Sequence, residues 1–482
     1  MLFNSFQFLA FVTIVFAIYW GILRSRNARL IFLLLASYVF YMSWNPKLII
    51  LLLGSTTVDF FTVRAMGRTD DQRIRRLLLW GSILFNLTIL AVFKYANFFI
   101  ENANWISGHL GSGAILPAMK IALPLGISFY TFETISYTID GYYRQSTACK
   151  SLRDYALFIS FFPHLISGPI VRPAQFVPQF DKEKNLTREN LSEGLFLILY
   201  GLIKKLLIAD RLAVCADAVF GNPHSFGAAG LWLGALAYAG QIYCDFSGYS
   251  LIALGLARIF DFRLPVNFRT PYLSRNISEF WRRWHITLST WLRDYLYASL
   301  RRVWTSEFGV WGGLALTMLL GGLWHGAHWT FVAWGAYHGL LLVAHRLLNR
   351  KGSFLWRPIA DRIPENTKEV VARLIVFAFV CVGWVFFRAQ TLRQSVYMLG
   401  RMFGAGSGGA ALPAALRILA ACLGTILTLD VIEWSLEQRE RTLEGVFVGA
   451  PAAARVLVYA VAFFLLTVLP MYGSKAFIYF QF

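Results

Sequence analysis

The chain has 482 residues, of which 57% are hydrophobic and only 15% are charged, and its mean hydropathy is +0.54. A soluble domain carries about 25% charged residues, so this composition excludes an ordinary soluble fold, which would have to bury nearly every side chain. The formal net charge of +19 is better explained by basic loops between membrane spans than by nucleic-acid binding. We therefore expect a lipid bilayer, and no nucleic acid, as partner.

Long apolar runs recur along the whole sequence, and a run of about 20 such residues is typical of a membrane-spanning helix. The pattern predicts an all-α, polytopic transmembrane protein with roughly ten to twelve spans. Residues 101–120 are predicted to form a loop. The candidate segments lie near residues 6–23, 30–44, 48–63, 77–96, 121–143, 154–170, 194–208, 231–260, 309–323, 329–348, 370–387, 416–431 and 455–469.

Two of these segments carry residues that a lipid-facing helix does not tolerate. Pro124 and Gly126 interrupt the segment 121–143, and Pro163 interrupts the segment 154–170. Broken backbone at membrane depth is stable only where protein buries it. We expect both segments to be buried among other helices, and some elements to be broken or re-entrant.

Arginines indicate the orientation of the chain in the membrane. Arg24, Arg26 and Arg29 follow the first apolar run, and five arginines lie between residues 64 and 76. Cytoplasmic loops are enriched in Lys and Arg, so the N-terminus is predicted to lie outside. The first run lacks a basic region before it and a small-residue cleavage site after it, which indicates a retained span rather than a signal peptide.

The stretch 260–308 is amphipathic and rich in Trp and Arg, and it contains the string EFWRRWH at 279–285. An interfacial helix with an aromatic belt and snorkelling arginines is one interpretation. The other is the wall of a cytoplasmic donor channel. In that case Trp281, Arg282 and Arg283 would bind a nucleotide-bearing thioester, with the arginines contacting its phosphates.

The string GGLWHGAHW at 321–329 places His325 between glycines in an apolar region. Small neighbours let another helix or an extended ligand approach the ring, and imidazole is well matched to proton transfer near neutral pH. His325 is therefore a candidate general base for acyl transfer to a hydroxyl. The alternative is a buried histidine that bonds across helices.

Four other histidines are assigned weaker roles. His328 follows His325 by three positions and is expected on nearly the same helix face. His338 and His345 are seven apart and favour a packing role, and His164 at a helix break is a candidate cavity-lining residue.

Several kinds of site are not predicted. The sequence contains no P-loop, no HExxH and no GxSxG nucleophile motif. Its five cysteines form no CxxC pair, so we expect neither a disulfide framework nor a metal site.

Seven strings together resemble the membrane-bound O-acyltransferase family, most closely the bacterial branch that modifies alginate and teichoic acid. They cover most of the chain in order: PLGISFYTFETISYTIDGYY (124–143), FFPHLISGPIVRPAQF (161–176), YCDFSGYS (243–250), EFWRRWHITLSTWLRDYLY (279–297), GGLWHGAHWTFVAWGAYHG (321–339), GWVFFRA (383–389) and FIYFQF (477–482). Two positions depart from the family pattern. His328 stands where Asn is expected, and ASLRR at 298–302 replaces a Gly-Gly-Asn-Arg loop.

The resemblance implies one catalytic domain over residues 1–482 with its core at 121–348, enclosing a central funnel. It implies that His325 is the catalytic histidine and His285 the second site position. The donor would be acetyl coenzyme A or another acyl thioester, with no permanently bound cofactor. The acceptor would be an exported polysaccharide, as in alginate biosynthesis, reached from a bacterial inner membrane with a periplasmic serine-hydrolase-like partner.

Three alternatives remain open from the sequence. One is acylation of a protein or lipid with a longer acyl chain. Another is a transporter or channel in which the histidines relay protons, although no inverted repeat supports it. The third is a passive scaffold for a polysaccharide-export complex.

Overall fold

The computed structural model describes residues 1–111, 113, 115–119, 121–144, 149–351, 364–404, 413–469 and 477–478, with the backbone alone at 349–351 and 413–415. Throughout this part of the chain the backbone is helical or irregular, and no strand occurs. The predicted all-α class is therefore confirmed.

Contacts between Cα atoms group the chain into two compact units. The first unit comprises Met1–Leu195 and Ile252–Pro265, and the second comprises Phe196–Leu251 and Val266–Phe482. The expectation of one catalytic domain with its core at 121–348 concerns activity, and it stays a prediction.

Four helices of the first unit begin at Ser or Asp caps, whose side chains accept a hydrogen bond from the first turn. Wide turns at Ile18–Ile22 and Ala91–Tyr95 continue two of them. The unit contains α1 (Phe6–Ala17), α2 (Arg26–Met42), α3 (Ile49–Gly67), α4 (Gln72–Leu90), α5 (Ala96–His109), α6 (Ile127–Tyr142), α7 (Leu152–Ser160), α8 (Pro173–Phe176) and the start of α9 (Arg188–Leu202).

A buried polar cluster joins α3, α4 and α6. The Asn86 amide nitrogen donates to both carboxylate oxygens of Asp59, at 2.9 and 3.0 Å. The Ser82 hydroxyl donates to the same carboxylate and lies 3.0 Å from the hydroxyl of Thr138. Interhelical hydrogen bonds of this kind hold membrane helices together where apolar packing alone gives little preference.

The two segments with Pro and Gly behave as predicted. Nearly every side chain of α6 is buried, and the helix starts after Gly126, whose φ of +71° suits glycine. A Cβ at Gly126 would lie 2.4 Å from the Leu165 carbonyl oxygen. α7 ends at Ser160, and the backbone then continues as buried irregular structure.

The second unit contains the remaining helices. They are α10 (Asp210–Gly221), the part of α11 (Ala228–Ile259) up to residue 251, α12 (Ile277–Arg283), α13 (Ile286–Trp291), α14 (Ala298–Val303), α15 (Glu307–His325), α16 (Trp329–Lys351), α17 (Glu365–Arg388), α18 (Leu392–Phe403), α19 (Pro413–Glu437), α20 (Leu443–Val448) and α21 (Ala452–Val468).

Helices α15 and α16 form a hairpin whose backbones touch. A Cβ on Gly322 would lie 2.2 Å from the Phe331 carbonyl oxygen, and a Cβ on Gly335 would lie 2.4 Å from that of Met318. Glycine is required at both positions because any side chain would push the helices apart. This contact fixes the end of α15, where His325 lies.

Five helical segments of the described chain are long and apolar enough to cross a membrane, which supports a multi-pass protein. They are Pro46–Gly67, Gln72–His109, Glu307–His325, Trp329–Leu348 and Glu365–Arg388, and Phe6–Ile22 and Ala452–Val468 are shorter apolar helices. The count of ten to twelve spans stays a prediction.

The loop predicted at 101–120 was placed too early, because α5 continues to His109. Polar side chains of α5 bond the chain that follows it. The Asn104 side-chain oxygen accepts from the backbone N–H groups of Ile115 and Leu116, and that of Asn97 accepts from Met119. These asparagines therefore sit inside the helix rather than in the loop.

Candidate active site

The amphipathic stretch around residue 285 is two short helices with a sharp break between them. α12 ends at Arg283 and α13 begins at Ile286, and His285 between them has a φ of +41°. A non-glycine residue in this left-handed region is strained, and such strain often marks functional sites. The side chain of His285 is fully buried.

Asn267 holds this break from the opposite side. Its backbone carbonyl accepts from the Ile286 N–H at 2.9 Å, and its side-chain oxygen lies 3.1 Å from Nδ1 of His285. The same oxygen accepts from the backbone N–H and the hydroxyl of Thr287, at 3.3 and 2.9 Å. One buried asparagine thus orients both the strained backbone and the imidazole.

His285 also has an aromatic surround. Its ring meets Phe246 edge to face with centroids 4.6 Å apart, and Phe268 lies 6.5 Å away. Burial lowers the pKa of His285 to about 3. His285 lies outside all five candidate spans, and it is neutral at physiological pH.

His325 is the last residue of α15, and only 4% of its surface is exposed, so it does not face lipid. Three aromatic rings surround the imidazole, with centroid distances of 5.0 Å to Trp324, 5.1 Å to Trp334 and 5.2 Å to Phe387. The imidazole thus lies at the C-terminal end of α15, enclosed by aromatic side chains.

The two histidines, 40 positions apart in sequence, contact the same indole ring. The centroid of Trp324 lies 6.2 Å from His285 and 5.0 Å from His325. Tertiary packing thus brings together the two residues that the sequence predicted to form the site. Their catalytic roles stay predictions.

The three residues predicted to bind the donor differ in availability. Arg283 is already paired, because its guanidinium donates to Glu279 at 3.0 Å and to Glu437 at 2.9 Å. Arg282 is exposed and makes no ion pair within the described part of the chain. The Trp281 ring packs against Trp334, with centroids 5.6 Å apart. Of the two arginines, Arg282 is the better candidate for a phosphate ligand.

The expectation for His328 was wrong, because the helix ends at His325. Gly326 is extended, with φ −165° and ψ 148°, and His328 lies in the turn before α16. Its Nδ1 lies 3.0 Å from the hydroxyl of Thr330. His328 therefore shapes the turn and does not share the helix face of His325.

His338 and His345, expected to be packed or interfacial histidines, both lie on α16. His338 is fully buried between aromatic rings, 5.0 Å from Trp334 and 5.2 Å from Trp281 by ring centroids. A Cβ on Gly383 would lie 2.6 Å from its Nε2, which explains the glycine of the GWVFFRA string.

His164 is buried in the first unit, where its Nδ1 lies 3.2 Å from a carboxylate oxygen of Glu133. That oxygen also accepts from the Val171 N–H at 2.9 Å. The pair joins α6 to the irregular chain after α7. The first unit also has a polar cavity of about 690 Å³, which is lined by residues including Lys182, Lys184, Asp261 and Arg263 but not by His164.

Sequence reasoning missed the residues that support the site. Lys205 lies 2.9 Å from a carboxylate oxygen of Asp210 and 2.7 Å from one of Asp245. Asp245 also accepts from the Ile478 N–H at 2.7 Å, beside Phe246 of the His285 surround. The sequence signal that could have identified Lys205 and Asp245 is the presence of ionisable residues in apolar segments, where such residues are usually paired.

Asn267 and Glu279 were also missed. Asn267 lies in the irregular segment between α11 and α12, where no periodic pattern marks a contact with His285. Glu279 binds Arg283 and accepts from the Arg275 N–H at 2.9 Å.

Comparison with known proteins finds relatives over most of the chain. The sequence profile of the MBOAT, membrane-bound O-acyltransferase family, matches residues 65–390, which include both histidines. A "Probable alginate O-acetylase AlgI" of Pseudomonas putida is 43% identical over 408 residues, covering 84% of this chain and 80% of that protein.

Two further relatives carry other names. A "Peptidoglycan O-acetyltransferase" of Helicobacter pylori is 37% identical over 436 residues, covering 84% of this chain and 80% of its own. A "Teichoic acid D-alanyltransferase" of Bacillus subtilis is 29% identical over 290 residues, or 55% of this chain and 69% of its own.

Proposed function

The chain belongs to the membrane-bound O-acyltransferase family, and from that membership we propose that it transfers an acetyl group from a cytoplasmic thioester across the membrane toward hydroxyls of an exported polysaccharide. The observation that carries the proposal is the pair of buried imidazoles, His285 and His325, packed against the indole of Trp324. Acetyl transfer agrees with the names of the relatives that match most of the chain.

In the proposed reaction His325 is the general base. It takes the proton of the acceptor hydroxyl as the oxygen attacks the thioester carbonyl. The new C–O bond forms, the C–S bond breaks, and the proton passes from the imidazolium to the leaving thiol. No covalent acyl-enzyme is needed. The aromatic rings around His325 exclude water, which would otherwise hydrolyse the thioester.

On the donor side, Arg282 and Trp281 bind the nucleotide end of acetyl coenzyme A or of another acyl thioester. A guanidinium pairs well with phosphate oxygens, and Arg282 is the uncommitted arginine of the pair. The donor enters by a funnel from the cytoplasm and leaves as a free thiol, so the protein needs no permanently bound cofactor.

On the acceptor side, we propose that the polysaccharide is reached from outside a bacterial inner membrane, with the N-terminus of the chain also outside. Names of the relatives favour alginate or a peptidoglycan-like glycan as acceptor class. A periplasmic serine-hydrolase-like protein would carry the acetyl group onward to the polysaccharide, and the absence of a GxSxG nucleophile motif from this sequence is compatible with such a partner.

The test is transfer of labelled acetyl from acetyl coenzyme A in inverted membrane vesicles. His325→Ala is expected to abolish transfer while the protein still inserts in the membrane. His224→Ala, an exposed histidine of the same unit, is the matched control and should keep wild-type transfer. Normal transfer by His325→Ala would contradict the proposal.

The length of the acyl chain on the donor distinguishes polysaccharide acetylation from the competing hypothesis, which is acylation of a protein or lipid with a longer chain. Vesicles supplied with acetyl and with palmitoyl coenzyme A are compared, and mass spectrometry identifies the product. If the long acyl chain is preferred and the product is an acylated protein or lipid, the proposal of polysaccharide acetylation is wrong.

A further inference from the structure

The hydrogen bond between Asn267 and His285 determines which ring nitrogen carries the hydrogen. The backbone N–H of Thr287 can only donate, and it points at the side-chain atom of Asn267 that also faces His285, at 3.3 Å. That atom is therefore the amide oxygen, which only accepts. The hydroxyl of Thr287 donates to it as well, at 2.9 Å.

It follows that Nδ1 of His285 must donate to Asn267, across 3.1 Å. A neutral imidazole has one N–H, so the other nitrogen, Nε2, keeps its lone pair. The ring is fully buried beside aromatic groups, which disfavours a second proton. His285 thus enters the site as a hydrogen-bond acceptor.

We propose that Asn267 is a positioning residue that fixes His285 as the Nδ1–H tautomer. In this tautomer Nε2 accepts a hydrogen bond from the hydroxyl group that will receive the acetyl group. This rests on the proposed function of the same site. The assignment excludes the opposite role, in which His285 would donate to the thioester carbonyl and stabilise its oxyanion, because a lone pair repels that oxygen.

The work of the two histidines is then divided. Nε2 of His285 aligns the hydroxyl, and His325 removes its proton during the attack. The ligand chemistry recognised at His285 is the hydroxyl group of the acetyl acceptor rather than the acyl group. The strained φ of +41° at His285 is part of the same arrangement, because the backbone carbonyl of Asn267 accepts a hydrogen bond from the residue that follows His285.

Nitrogen-15 NMR of histidine-labelled enzyme in nanodiscs reads the tautomer without any substrate. The signal of His285 is assigned by its disappearance in His285→Gln. The wild type should show a protonated Nδ1 and an unprotonated Nε2, and Asn267→Leu should lose this preference. A wild-type ring that carries its hydrogen on Nε2 overturns the proposal.

Kinetics test the role of the nitrogen. Asn267→Leu should lower kcat by roughly 10- to 10⁴-fold, the range for lost orientation or a wrong tautomer of a catalytic imidazole, with little change in KM for the thioester. Asn267→Asp keeps the acceptor oxygen and should recover most of the rate. Equal rates for Asn267→Leu and the wild type would contradict the assignment.

Two pairs of variants distinguish a role of Asn267 in positioning His285 from a purely structural role. Thr287→Val removes a hydrogen bond to the same oxygen but leaves that of His285, so it should cost far less kcat than Asn267→Leu and leave the tautomer unchanged. Equal losses in the two variants would indicate a structural role and overturn the proposal.

The second pair concerns His285 itself. His285→Gln can place an acceptor oxygen near the former Nε2 and should retain more activity than His285→Asn, which replaces only the Nδ1 side. The reverse order counts against the proposal. If the wild type shows the Nδ1–H tautomer but transfers no acetyl, the proposed function fails while the tautomer assignment stands.

Discussion

The imidazole of His325 meets the indole of Trp334 edge to face, with ring centroids 5.1 Å apart and ring planes at 90°. The Trp334 Nε1 is buried and has no hydrogen-bond partner in the described part of the chain. The contact of Trp334 with His325 is therefore one of ring packing, which is favourable in this geometry.

This contact predicts a graded response at position 334. Trp334→Phe keeps an aromatic face and should retain most activity, whereas Trp334→Ala opens a cavity and should cost about 3–5 kcal/mol of stability together with most of the activity. Thermal unfolding in detergent and acetyl transfer measure the two effects. Full activity of the alanine variant would show that the ring does not position His325.

The touching backbones of α15 and α16 predict a large effect of one methyl group. Gly335→Ala places a Cβ against the Met318 carbonyl oxygen, and overpacking of this kind costs about 1–3 kcal/mol. Gly424→Ala in α19 is the control, because nothing lies within 4 Å of its Cβ position. There, helix propensity should give a gain of about 0.5–1 kcal/mol. Equal melting temperatures for the two variants would argue against close contact.

Substitution of Arg282 should affect binding of the donor, whereas substitution of Arg283 should affect stability of the fold. Arg282→Gln removes the exposed guanidinium and should raise KM for the coenzyme A thioester about tenfold, the effect of roughly 1.4 kcal/mol. Arg283→Gln breaks the bonds to Glu279 and Glu437 and should lower the melting temperature, with KM unchanged. Steady-state kinetics and thermal unfolding, measured for both variants, test the two assignments. A KM effect of Arg283→Gln alone would reverse the assignment.

His285 predicts a dependence of stability on pH. Its pKa is about 3 in the folded chain and about 6.5 in an unfolded one. Below the unfolded value the unfolded state binds a proton that the folded state does not, so the free energy of unfolding falls as pH falls. Between pH 8 and pH 5 the loss should be about 2 kcal/mol.

His285→Gln removes this titration and should flatten the acid side of the stability curve, measured by denaturant unfolding in detergent at each pH. The exposed His224→Gln is the control and should keep the wild-type slope. An unchanged slope in His285→Gln would show that the imidazole titrates alike in the folded and the unfolded chain.

The helical segments could be predicted because apolar runs of the right length leave few alternatives in a membrane. The buried helix α6 was recognisable from its Pro, Gly and polar residues together. The end of α5 was not, since Asn97 and Asn104 belong to the helix only through bonds to the chain that follows. Local polarity suggested a loop where tertiary bonds made a helix.

The site was predictable in its members but not in its geometry. His285 and His325 were identified from their strings, whereas their shared contact with Trp324 depends on packing between distant segments. Asn267 left no signal, because its bond to His285 requires a left-handed turn that no residue preference indicates. His328 was misplaced because the extended backbone of Gly326 ends α15 at His325.

The bare peptide contact between α15 and α16 has a mechanical consequence. Protein interiors are packed closely enough to transmit strain, and at Gly322 and Gly335 no side chain of either glycine separates the two helices. A displacement of α16 therefore acts directly on the last turn of α15, which ends at His325.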